Sequence, residues 1–258
     1  MGGKGSSWRT GTTSFLTPVP CGTCLPAGRR GRPENFGWFL LVYNDVMEIE
    51  VKNTSGLAPY TVQIEKLVKS TLKEVGAKFN LNDVSVVVKE AEHPNDLKDI
   101  GGVGGYCPSG ELVELSLDVN HPVFKKLWGQ LVRRSLLHEL HHAARRQAGI
   151  ATGESSFLEC LFSEGLADHF VYDLTNLKPV WAIDLDKGTL AKLQKRAKEI
   201  FNQPMTDQLY EDWFTEGSEE LNIPRWAGYT LGYKLVDDYL AEHSGTSAAS
   251  LVALPAQF

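Results

Sequence analysis

Cysteine is scarce, with four residues in a chain of 258. Cys21 and Cys24 form a lone CxxC in a Pro/Gly-rich stretch, with no second CxxC and no βαβ pattern around it, so neither a disulfide framework nor a redox motif is indicated. Long apolar runs are absent too. The strongest near the start, "FGWFLLVY" (36–43), falls well short of the roughly 20 residues a membrane span needs. Residues 1–30 lack the ordered charge, apolar core and small-residue cleavage site of a secretory signal. "MGGKGS" matches a loose myristoylation pattern, but so short a match in a Gly/Ser-rich tail reads as chance. Excess basic charge is also lacking: the net charge of −6 argues against nucleic-acid or anionic-membrane partners. A cytoplasmic protein is the expectation.

What is present is an ordinary globular composition, 42% hydrophobic and 22% charged. The length allows one large domain or two subdomains around a cleft. Residues 1–46 are rich in Gly, Ser, Thr, Pro and Arg and read as a low-complexity, disordered tail, possessing little to bury. The folded domain then spans 47–258, a sheet part over 47–120 and a helical part over 121–258. Strands are expected at 47–53, 83–90 and 111–119, with an amphipathic helix over 59–79. The Gly-rich "IGGVGGYCPSG" (100–110) reads as a loop. Later helices are expected over about 120–149, capped by Asn120 with Pro122 in the first turn, then about 154–175, 188–202 and 225–242. There is no internal repeat.

"SLLHELHHAARRQAG" (135–149) concentrates the chemistry. Residues four apart on a helix share a face, so His138 and His142 can aim their imidazoles at one point with Glu139 beside it. This is HExxH, the pattern of two zinc-binding histidines and a glutamate base. His141, three positions after His138, is also a neighbour on the helix. Apolar Leu131, Val132, Leu136 and Leu137 lead into the motif, unlike a His-rich solvated face. The continuation HExxHxxGxxH is excluded by Arg145 and Ala148. Downstream, "FSEGLADHF" places Glu164 and Asp168 four apart among Phe162, Leu166, Ala167 and Phe170. One carboxylate can bind the metal while the other holds a histidine's distal N–H.

HExxH followed by "EGLAD" resembles the gluzincin group of zinc peptidases. The fuller set "GGYCPSGELVELSLD", "LLHELHHAARR", "SEGLADHF" and "WAGYTLGY", covering about 95–240, is similar to a bacterial family described as zinc-dependent proteases and carried as a domain of unknown function. The resemblance implies a zincin-like α+β fold, with the metal site between a small mixed sheet and a mainly helical part. It implies one catalytic zinc ion, His138, His142 and Glu164 as ligands, Glu139 as base and Asp168 as partner of a ligand histidine.

Peptide hydrolysis also needs a donor to the developing oxyanion. Tyr229 is the candidate, in a Tyr-x-x-Gly resembling gluzincin aminopeptidases. It also lies on the stripe Trp226, Tyr229, Tyr233, Val236 and Leu240, which an amphipathic core helix would display equally well. Arg225, His121 and His169 are weaker substitutes. The strand at 111–118 is expected to pair with extended substrate. Cys107 raises the rival of a deformylase-like thiolate ligand, which would leave Glu164 and Asp168 unexplained, and Cys160 lies one turn before Glu164. A zinc metallopeptidase acting on a peptide or protein substrate is the expected function. The alternative is a catalytically silent zinc-binding or protein-interaction module on the same fold.

Overall fold

The computed structural model describes residues 41–43, 47–52, 54–79, 81–150 and 155–256. Apart from 41–43, the tail expected over 1–46, with its CxxC and its N-terminal pattern, lies outside the described residues. The architecture is mixed α+β, a small sheet followed by a mostly helical remainder. The described residues divide into two compact units, one covering Leu41 to Gly149 with Asp173–Asn176, the other covering Ile150 to Tyr172 and the chain from Leu177 onward.

The first unit carries the sheet. Its strands are β1 (Leu41–Tyr43), β2 (Met47–Val51), β3 (Ser85–Glu90), β4 (Val103–Ser109) and β5 (Leu112–Leu117), in the spatial order β1-β2-β3-β5-β4. β2, β3 and β5 run parallel to one another, while β1 is antiparallel to β2 and β4 to β5. Period-two alternation buries Val86 and Val88 of β3 and Val113, Leu115 and Leu117 of β5 on one face. Helix α1 (Thr61–Gly76) buries Ile64, Val68, Leu72 and Val75, a three-and-four spacing that makes one apolar stripe.

Two expectations change here. The Gly-rich 100–110 segment is largely strand, because pairing with β5 supplies the hydrogen bonds that glycine's weak strand propensity does not. β5, in turn, has β3 on one side and β4 on the other, so its backbone edges are both used. Among the described residues the edge strands are β1 and β4.

Helix α2 (Pro122–Gln147) follows the β4–β5 hairpin. Its cap is His121 rather than Asn120: the His121 Nδ1 accepts from the Val123 N–H at 3.2 Å, while its Nε2 lies 3.0 Å from the Lys98 carbonyl. Pro122 occupies the first turn as expected, and the helix kinks at Leu127. At the far end the Gln147 side chain donates to the carbonyls of Asn82 (2.6 Å) and Gly110 (2.7 Å) and accepts from the Asn82 N–H. The helix bearing HExxH is therefore pinned to its sheet unit at both ends.

The second unit is helical, with most of α3 (Phe157–Thr175), then α4 (Lys187–Glu199), a single-turn α5 (Asp207–Tyr210) and α6 (Ala227–Glu242). A π-helical turn, Glu211–Thr215, follows α5. Neither short piece was evident in the sequence. Phe157, Leu161, Phe162, Phe170, Trp213, Phe214, Leu231 and Val236 form the core. Among the described residues, no helix is long and apolar enough to cross a membrane.

Candidate metal centre

On α2 the run from Leu136 to His141 is buried, an environment a solvated histidine face would not have. His138 and His142 lie one turn apart with Nε2 atoms 3.0 Å from each other and rings at 74°. His141 turns elsewhere, wholly buried and edge-on to Phe79 at 5.7 Å between centroids.

The base candidate, Glu139, is also buried, and its side chain runs over bare backbone of β4. A Cβ added at Gly105 would lie 2.5 Å from Glu139 Oε1 and 2.6 Å from its Cγ. Gly104 is similarly crowded by Leu97. The glycines that suggested a loop are thus places where side chains meet the strand closely. Sequence reasoning missed Gly105; a Gly-Gly pair next to strand-like "YC" was the one available signal.

Helix α3 is buried almost all round from Phe157 to Val171, including Ser163, Glu164, Asp168 and His169. Glu164 is 5% exposed and Asp168 1%. Carboxylates so deeply placed require partners to hold their charge. For Asp168 one partner is the indole N–H of Trp181, which donates to Oδ2 at 2.7 Å. No sequence pattern pointed to Trp181.

Among the described residues, one group of acids, histidines and cysteines converges as metal ligands do. His138, His142 and Glu164 each offer one donor atom, all within 4.8 Å of one another. The donor chemistry fits zinc: two imidazole nitrogens and a carboxylate oxygen leave a position for water. The separation of the nitrogens fits as well, since two at about 2.0–2.1 Å from a tetrahedral ion stand roughly 3.3 Å apart. The two buried thiols lie outside this group, and Cys107 donates to the Ser109 carbonyl at 3.0 Å.

Tyr229 is on the first turn of α6, half-buried, its hydroxyl 3.1 Å from that of Tyr210. Phe214 and Trp181 pack on its ring, at 5.2 and 5.1 Å between centroids. Of the stripe that a core helix would bury, only Val236 is buried; the core face is Ala227, Leu231 and Leu235 with Gly228 and Gly232. The weaker candidates have structural engagements. His121 caps α2, His169 stacks on Tyr233 and bonds its carbonyl, and the Arg225 Nε donates to the Thr215 carbonyl.

Two histidines one turn apart and a carboxylate from the next helix make a donor set that could hold zinc. The chain belongs to the family described as "Predicted Zn-dependent protease (DUF2268)", whose model matches residues 64–258. No curated protein and no solved structure matches it. Family and donor set together imply dependence on zinc.

Proposed function

We propose that this chain is a zinc-dependent peptidase with a zincin-like fold of the gluzincin type. The convergence of His138, His142 and Glu164 supports it most. Zinc held by these three would lower the pKa of a bound water toward about 7 and polarise a substrate carbonyl. Glu139, buried beside the ligand pair, takes the proton of the attacking water and passes it to the leaving amine. Tyr229 donates to the developing oxyanion, its ring steadied by Phe214 and Trp181. Asp168 fixes the orientation of a ligand histidine. The substrate strand pairs with β4, whose edge is open among the described residues, and not with the interior β5.

Metal analysis and two variants test this reading. The wild type is expected to carry about one zinc per chain, and Glu164→Ala to lose it because three ligands are the minimum set of such a centre. Glu139→Gln should keep zinc. Zinc retained by Glu164→Ala would end the ligand assignment. A zinc-loaded wild type that cleaves nothing in a peptide library would leave the silent metal-binding module as the better description.

A further inference from the structure

Trp181 makes contact with two of the residues assigned above. Its indole N–H, the single donor that side chain possesses, is spent on the buried Asp168 carboxylate at 2.7 Å. A hydrogen bond to an ionised acceptor is about twice as strong as a neutral one, and the indole plane gives it a fixed direction. The same ring packs on Tyr229, tilted by 39°. Its backbone is tied down as well: the Thr230 hydroxyl donates to the Trp181 carbonyl at 3.1 Å and accepts from the Ile183 N–H at 3.1 Å. Thr230 adjoins Tyr229, so the loop bearing Trp181 is laced to the turn of α6 that carries the tyrosine. Packing alone does not account for the choice of residue. Trp213, the core tryptophan of this unit, is 1% exposed, whereas Trp181 is only half-buried.

We propose that Trp181 is a positioning residue, holding the Asp168 carboxylate through its N–H and the Tyr229 ring through its face. The proposal rests on the zinc-peptidase reading, but its test does not depend on turnover. Trp181→Phe keeps an aromatic ring and removes the donor; combined with Asp168→Ala it asks whether Trp181 acts through the carboxylate. Zinc affinity is read by competition with a chromophoric chelator on the full chain, and peptide cleavage is read in parallel.

Trp181→Phe is expected to bind zinc about 10- to 100-fold more weakly, the usual effect of disturbing an outer-shell partner. Added to Asp168→Ala, it should change zinc affinity by less than about threefold, because one linkage cannot be lost twice. On peptide, kcat should fall about 10- to 100-fold while KM moves less than about threefold, the mark of an interaction felt in the transition state. Wild-type zinc affinity and kcat in Trp181→Phe overturn the proposal, and so do effects that multiply in the double variant. If Trp181→Phe does not fold, benzothienylalanine at 181 replaces only the N–H by sulfur in a ring of the same shape, with the same expectations. If the wild type cleaves no peptide while the zinc coupling holds, the peptidase reading fails and the positioning role stands.

Discussion

Gly105 has no room for a side chain because the Glu139 side chain occupies the space where one would begin. Gly105→Ala forces the carboxylate or the strand to shift, and overpacking of this kind costs about 1–3 kcal/mol. The larger effect is expected on rate. A misplacement of about 1 Å in a reacting group is enough for a loss near 10²-fold, so kcat should fall by about that much with zinc content unchanged. Steady-state kinetics with metal analysis on the same preparation checks it; wild-type kcat would show that the base is not seated on this glycine. The converging donors were legible from local spacing, 138 and 142 one turn apart on one helix and 164 on the next. Gly105 and Trp181 were not legible, because their roles depend on partners brought in by the tertiary fold.

Helices α3 and α6 meet through backbone. A Cβ at Gly165 would lie 2.1 Å from the Gly232 carbonyl oxygen, and one at Gly232 would lie 2.3 Å from that of Leu161. Gly165 is the residue after Glu164, and Gly232 is three after Tyr229, so this crossing fixes the spacing between two of the assigned groups. Gly232→Ala is expected to destabilise by more than the roughly 1–3 kcal/mol of ordinary overpacking, since neither carbonyl is on a flexible end. Zinc content should fall with it as α3 is displaced. Urea unfolding with metal analysis reads both, and a wild-type midpoint would contradict so tight a crossing. At this scale, the start of α2 was legible to within two residues, because Pro122 signals a first turn from local chemistry alone. β4 was not, since glycine marks a loop unless a neighbouring strand and a crowding side chain give it another purpose. The sequence left open whether the aromatic stripe of α6 is core; close packing at Gly228 and Gly232 draws the glycine side of the helix inward and leaves that stripe half-buried.

For the whole molecule, the division into a small sheet and a mainly helical remainder followed from periodicity that changes from two to three-and-four along the chain. Strand order did not follow, because it depends on pairings between distant segments; β5 turns out to be interior, and β4 lies at an edge of the sheet. The burial of α3 on nearly all sides was likewise only hinted at by its apolar residues, yet it gives Glu164 and Asp168 their significance. Acids held that deeply are costly without a cation or strong donors. The proposed purpose of this costly arrangement is peptide hydrolysis with Glu139 as base. Its most direct test compares zinc-loaded wild type and Glu139→Gln on one peptide library, with metal content measured in both. The wild type is expected to cleave in a manner that a chelator abolishes, and Glu139→Gln to lose at least about 10²-fold at equal zinc, as for removal of a general base. Equal cleavage by the two zinc-loaded proteins would contradict it.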